Sequence, residues 1–566
     1  MRCIGFVALI ILGVLYSSTV HAQDDYPFAA LDPKSYDRAV DPPYNMFIGH
    51  WQNSMPRLMH GSIVFRDILT SLEGDDTLRP GKKSAVLVYN SAISRATLEP
   101  GAKAKSEKLK GEQQVFYVDS GAGVIRSGEK SYNVKKGFVF IATPKFNFEL
   151  ETTGDEPLAM YVLTEPLPEG FRANEKLFVK NRFDSDLFMR IHWSNIDRRI
   201  VSGDDGLANY SGMTFVHIDA HTMSQPHSHN AGTEEAWIAV KGETKLLLGK
   251  QLFDLPPGSA YKIPDNGLTA HGHMNATDEP VQLIHMMKNM RGDKRKYSQL
   301  APEQFDPAVD PAIDMFMGDW RKSMPRLMHG SIVFRDMLTE LEGPDHLHPT
   351  RKGAVLLYTK AVSYATLEPG AVATASEMGG VQQVFYVNSG AGVIASGEKT
   401  VHLKKASSFI IPPGLDFTLR ASGDELLAMY VVTEKIPEGA QVNEELYVTD
   451  GYQTPTFMRV HWANIDRGII GAANGMVAYR GLTAVKLDAM TIAQPHSHGE
   501  GTEEVWISLK GDTDVLIGKE LRKFPPGTAY KVPATGKTAH ANINASETPV
   551  NLMHMMKSNR TRRNRP

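Results

Sequence analysis

QPHSHNAGTEEAWIAVKG, from Gln225 to Gly242, returns 269 residues later as QPHSHGEGTEEVWISLKG, from Gln494 to Gly511. Each stretch places two histidines two residues apart. On a strand that spacing puts both imidazoles on one face. A pair of glutamates follows, and then an apolar strand-like run that closes on glycine. Working outward, the repetition extends without a gap: Asp41 to Lys288 aligns with Asp310 to Lys557, and MPRLMHGSIVFRD at Met55 recurs at Met324. The duplication gives two readings of every site within one chain.

Length and composition set the frame. With 566 residues, of which 42% are hydrophobic, the chain is too long for one core and divides into about four units of roughly 130 residues. Each copy is therefore expected to hold two domains. Lys and Arg total 61 against 64 Asp and Glu, a net charge of -3, so no overall basic field favours a nucleic-acid partner. The basic end, with Lys557, Arg560, Arg562, Arg563 and Arg565, reads as a solvated tail.

The opening MRCIGFVALIILGVLYSSTVHAQ has an early positive charge, an apolar run from Ile4 to Tyr16, and Val-His-Ala before Gln23. These are the parts of a secretory signal cut after Ala22, so residues 1–22 are expected to be removed and the protein to be secreted or periplasmic. The apolar run is short for a membrane span, and no membrane association is expected after cleavage. Cys3 lies inside that segment, so the mature chain would carry no disulfide and would rely on buried apolar area.

The texture of each copy is all-β. SAVLVY, QQVFYV, GFVFIA, LAMYVLT, MTFVHID, EEAWIAV, TKLLLG and VQLIHMM recur about every ten residues with Gly, Pro, Asn and Asp between them, a pattern of sandwiches or barrels. The one helical candidate spans Ser62 to Leu72. Boundaries fall at TEPLPEGFRANE, Thr164 to Glu175, and at TEKIPEGAQVNE, Thr433 to Glu444, with the join between copies near Arg291 to Asp306. The expected barrels are 41–165, 170–293, 307–434 and 439–560.

Chemistry concentrates in the second half of each copy. His227, His229, Glu235 and His271 recur as His496, His498, Glu504 and His540. Three imidazoles and a carboxylate converging from adjacent strands form a metal site with open coordination positions. His-x-His, Glu, Gly seven residues on, then Gly258, Pro264, Gly267, His271 and Asn275 resemble the two signature motifs of the cupin superfamily. The resemblance departs by one extra residue between His229 and Glu235, one before Gly267 and one after it. It implies an all-β fold of four double-stranded β-helix (jelly-roll) barrels in two tandem two-barrel units. It also implies that the two four-residue sets are ligands of one divalent transition metal each, with Mn, Fe, Ni, Cu and Zn all compatible. Glu235, rather than Glu234, stands at the required distance from Gly242, and His273 is Asn542 in the other copy, so neither Glu234 nor His273 is expected in the shared set.

The first half of each copy resembles the same barrel without its metal. Gln114 and Gln383 stand where the glutamate would be, and Phe148 and Phe417 where the last histidine would be. Arg57, His60, Tyr261, Arg326, His329 and Tyr530 are expected to be catalytic or substrate-anchoring, the Arg and His pair by reaching from an N-terminal arm into a neighbouring barrel's mouth. His192, His285, Lys262 and their counterparts also recur without a motif. Sequons at Asn275 and Asn544 fall inside the second motif, where a glycan would obstruct the barrel. The resulting expectation is a metal-dependent enzyme on a small oxygen-rich substrate, with dioxygenase, decarboxylase, isomerase and lyase chemistry all open. The competing class is a sugar- or phenolic-binding or storage-type protein without turnover. Either is compatible with an oligomer.

Overall fold

The computed structural model describes residues 42–107, 109–189, 194–288, 311–458 and 462–557. The signal-like segment with Cys3, the join between copies, the basic tail beyond Lys557, His192 and His461 lie outside them. Among the described residues the regular structure is β-strand with short 3-10 turns, and no helix is long and apolar enough to cross a membrane.

Each copy forms two barrels of two sheets. In the first barrel, strands 178–181, 138–142, 112–120, 158–166, 92–98, 63–71 and 57–59 form one sheet in that order, and 103–105, 149–152, 122–127 and 130–135 the other. In the second barrel, 48–50, 259–262, 234–241, 281–288, 212–218, 195–202 and 187–189 form the larger sheet. The second copy repeats this arrangement. Ser62–Leu72, expected to be helical, is instead the strand Ile63–Ser71. Its Ile-Val-Phe and Ile-Leu-Thr runs suit a pleated surface, and the packing of Ile63, Phe65 and Leu69 outweighs a weak helical period.

Central strands are buried on both faces. Glu112–Ser120 and Glu234–Lys241 are almost continuously buried, because each larger sheet faces its own barrel on one side and the sister barrel on the other. Leu69, Ile93 and Tyr117 of the first barrel join Ile200, Phe215 and Ile238 of the second in a common core. Two short strands cross the expected boundaries. Ile48–His50 pairs with Ser259–Tyr261 in the second barrel, and Phe178–Asn181 pairs with Phe138–Ile141 in the first. Each barrel therefore closes its sheet with a strand from beyond the expected boundary.

The smaller sheets of the second and fourth barrels join each other. Strands 222–223, 271–275, 244–248 and 251–255 continue into 491–492, 540–544, 513–517 and 520–524 as one closed eight-stranded barrel. The seams are Thr222 opposite Glu520 and Gln251 opposite Thr491, sealed by Leu252 N–H to Met490 carbonyl and Leu521 N–H to His221 carbonyl, both 2.9 Å. Met223, Leu247, Met274, Ile492, Leu516 and Ile543 fill the space between.

Candidate metal centres

His227 does not lie in a regular strand. The Gln225-Pro226 sequence breaks the ladder, because proline has no N–H to donate, and His227 meets His271 through an isolated antiparallel bridge. His229 follows in an irregular stretch of chain. The two rings nevertheless face one centre, with centroids 4.8 Å apart, and the His271 ring lies 4.2 Å from that of His227. Glu235 enters from the first turn of the strand Glu234–Lys241. One donor atom from each of His227, His229, Glu235 and His271 lies within 4.8 Å of the others, and the same holds for His496, His498, Glu504 and His540.

The surrounding groups aim these donors. His227 Nδ1 donates to the Gln225 carbonyl at 2.9 Å and His496 Nδ1 to that of Gln494 at 2.8 Å, which turns each Nε2 toward the centre. Glu235 divides its oxygens between two tasks. Oε1 accepts from Trp237 Nε1 at 2.8 Å and meets His285 Nε2 at 3.0 Å. Oε2 faces His229 and His271, the latter Nε2 at 3.5 Å. Glu504 repeats this with Trp506 at 2.9 Å and His554 at 3.0 Å. Burial would raise the Glu235 pKa, but His229 and His271 outweigh it and hold the carboxyl well below its usual range. Burial pushes His271 down despite Glu235, favouring the neutral imidazole that a metal requires. The donor set thus fits a divalent transition ion.

Trp237 and Trp506 were missed by sequence reasoning, although their place two residues after the glutamate puts them on its face of the strand. His285 and His554 stood out as recurring histidines, but their role needs the neighbouring strand. Replacing Trp237 and Trp506 by Phe is expected to weaken metal affinity about 10–100-fold with folding intact, because Oε1 loses a donor that orients the carboxylate. Chelator competition would measure this, and unchanged affinity would remove the tryptophans from the site.

The neighbouring glutamate points the other way. Glu234 accepts from Val88 N–H at 2.5 Å, Tyr89 N–H at 3.3 Å, Asn90 Nδ2 at 3.0 Å and Tyr210 OH at 2.9 Å. It clamps a loop of the first barrel onto the second. Glu503 does the same with Leu357 N–H at 2.5 Å and Tyr479 OH at 2.7 Å.

The expected catalytic groups do not join the ligand sets. Arg57 lies on the edge strand Arg57–Met59 beside Ile63–Phe65, paired through Nε and Nη2 to Asp67 at 3.0 and 2.9 Å. Arg326 pairs with Asp336 likewise. The chain turns back at His60 and Gly61, both at positive φ, so this arm stays with its own barrel instead of reaching the next. His60 is buried inside the first barrel. Its Nδ1 accepts from Glu107 N–H at 3.0 Å and its Nε2 donates to Gln114 Oε1 at 2.7 Å, with Phe148 5.1 Å from its ring. His329 meets Gln383 at 2.7 Å and packs on Phe417. The space a metal would occupy is filled by a hydrogen-bonded imidazole and a phenyl ring.

Tyr261 is also outside the four-donor set and is fully buried. It lies a layer deeper, bonded to His273 Nε2 at 3.0 Å, and burial followed by the Glu235 charge raises its pKa well above the ordinary value. Tyr530 donates to Asn542 Oδ1 at 3.2 Å. Burial drives His273 down to about 3, which keeps its ring neutral. Asn275 Nδ2 donates to the carbonyls of Ile218, Asp219 and Glu279, which leaves that sequon no free amide.

His60→Ala is expected to lower stability by about 2–4 kcal/mol through the void and the stranded Gln114 carbonyl, with metal content unchanged. Burial lowers the His60 pKa from 6.5, so only the unfolded chain gains the proton first as pH falls. The wild-type unfolding midpoint should therefore drop more steeply than that of the variant below about pH 6.5. Denaturant unfolding against pH, with elemental analysis, checks both, and loss of metal from the variant would return His60 to the site.

Residues 214–287 and 363–433 match the family model of the cupin domain. The first match spans a barrel with the four donors and the second a barrel without them, so the fold and the family model agree across both barrel types. The match places a cupin domain in the second barrel and another in the third. The fold is four jelly-roll barrels in two tandem two-barrel units, two of which carry a His3Glu set. AerE from Microcystis aeruginosa is similar at 11% identity, over 43% of this chain and 98% of that one, with a TM-score of 0.33. An oxalate decarboxylase structure from Bacillus subtilis at pH 4.6 is similar at 12% identity, over 46% of this chain and 78% of that one, also at 0.33. No curated relative matches in sequence.

Proposed function

We propose that the chain is a metal-dependent enzyme acting on a small oxygen-rich molecule, working outside the cytoplasm after removal of residues 1–22. The observation that carries this reading is the pair of equivalent constellations, His227, His229, Glu235, His271 and His496, His498, Glu504, His540, each with its donor atoms within 4.8 Å. A duplicated packing core needs no such convergence of buried imidazoles on a carboxylate, since buried polar groups are costly unless they are paired or hold an ion.

A divalent ion held there supplies Lewis-acid polarisation of substrate oxygens at coordination positions the four donors leave open. The protein contributes orientation. The Gln225 and Gln494 carbonyls fix the tautomers of His227 and His496. Trp237 with His285, and Trp506 with His554, occupy the outward glutamate oxygen so that the other faces inward. Tyr261 and Tyr530 keep their protons and brace the floor of the barrel.

The test is a turnover screen of small carboxylates, polyols and phenols with metal-loaded protein, run under air and under nitrogen. Turnover only in air assigns a dioxygenase, and equal turnover in both assigns decarboxylase, isomerase or lyase chemistry. Absence of turnover with both sites filled would favour a binding protein. A mature N-terminus other than Gln23 in exported protein would refute the expected cleavage.

A further inference from the structure

The duplication lets a cavity be compared with its own counterpart. At the rim of the fourth barrel a space of about 200 Å³ opens between the loop at His346 and Leu347 and the loops holding Glu500 and Lys537. Ile313, Leu347 and Ile517 form its apolar wall, and none of the four metal donors lines it. The corresponding place in the first repeat is filled. The Tyr44 ring lies so close over Gly249 that a Cβ there would meet it at 2.4 Å, and Thr77 Oγ1 donates to Asp265 Oδ1 at 2.9 Å, tying the overlying loop down.

The second repeat has Ile313, His346 and Ala534 at these three positions. A Cβ placed on Gly518, the counterpart of Gly249, would meet nothing within 4 Å. The ring is gone and the latch has lost both its partners. The rim changes in the same repeat: Ala231 becomes Glu500 and Leu268 becomes Lys537. Their loops abut, since a Cβ on Gly536 would lie 3.0 Å from the Glu500 nitrogen. Neither side chain has a hydrogen-bond or ion-pair partner among the described residues. Lys519 and Glu520 also line the cavity, Glu520 being ion-paired to Arg522, so Glu500 and Lys537 are the carboxylate and the ammonium that this repeat adds without a partner among the described residues.

We propose that this cavity is a binding site for a small zwitterion with an apolar body, of the kind and size of an apolar α-amino acid. Lys537 meets its carboxylate, Glu500 its ammonium, and Ile313, Leu347 and Ile517 its side chain. The volume suits a ligand smaller than a drug-sized molecule, and the opposed charges select against one that carries only one of them. The site depends on neither the metal nor turnover.

Calorimetric titration of the full chain with L-phenylalanine, L-leucine, phenylpropionate and phenylethylamine tests this. One of the amino acids should saturate a single site per chain about tenfold or more tighter than either singly charged compound. Ile313→Tyr with His346→Thr and Ala534→Asp installs residues the first repeat already accommodates, and should abolish binding while the unfolding midpoint and metal content hold. Glu500→Ala with Lys537→Leu should keep the cavity but lose the tenfold preference. Failure of both amino acids to bind, equal affinity for a singly charged compound, or undiminished binding in the refilled variant would each overturn the proposal.

Discussion

Replacing His227 and His496 together by alanine is expected to take metal content from up to two ions per chain to none. Each histidine supplies one of four donors in its set, and each is held in place by a carbonyl that fixes its tautomer. Removing a donor deprives the ion of an anchored ligand, and the remaining three groups present an incomplete, partly solvated shell. Each single variant should lose one ion and keep the other, because the centres have separate donors. Folding should persist, since the barrel walls rest on Ala236, Ile238, Leu246 and Ile284 rather than on the imidazoles. Elemental analysis of folded, purified protein measures the outcome, and full occupancy in the double variant would refute the ligand assignment.

Glu234 and Glu235 are adjacent, and their replacement by glutamine should have opposite consequences. Glu235→Gln is expected to empty the first centre at little cost in stability. Glu234→Gln should leave the metal in place and lower stability by about 3 kcal/mol or more, because a charged acceptor for Val88, Asn90 and Tyr210 becomes a neutral amide with one oxygen. The donors it abandons are buried between the barrels, where water cannot replace the lost bonds. Glu503→Gln should repeat the effect in the second copy. Denaturant unfolding with metal analysis separates the two phenotypes. A Glu234 variant that lost metal, or a Glu235 variant that unfolded, would reverse the assignment of the two faces.

The sequence carried the barrels and the donor spacing because both are local. Strand period, turn glycines such as Gly242, and the interval from His229 to Glu235 follow from the geometry of a few consecutive residues. What escaped was set by chain far away in sequence. Nothing near Glu234 indicates that its acceptors will be used by residues 88–90, and nothing in MPRLMHGS shows that the chain reverses at His60 and folds that imidazole into its own barrel. The Ser62–Leu72 segment failed as a helix for the same reason, since its period was outweighed by neighbours on a sheet. Tyr261 recurs in a buried layer, bonded to His273, and recurrence in a duplication does not distinguish bracing from chemistry.

The closed barrel formed jointly by strands 222–275 and 491–544 means that this molecule carries its dimer partner on the same polypeptide. Two bicupin units that would otherwise associate at a rate and to an extent set by concentration are tethered, so dilution should not separate them. Their shared hydrogen-bonded seam also leaves no exposed sheet edge at that face for another chain to extend. Freed from the need to pair with an identical copy, the two halves can drift apart in side chains while keeping one architecture. Tyr44 opposite Ile313 records that freedom.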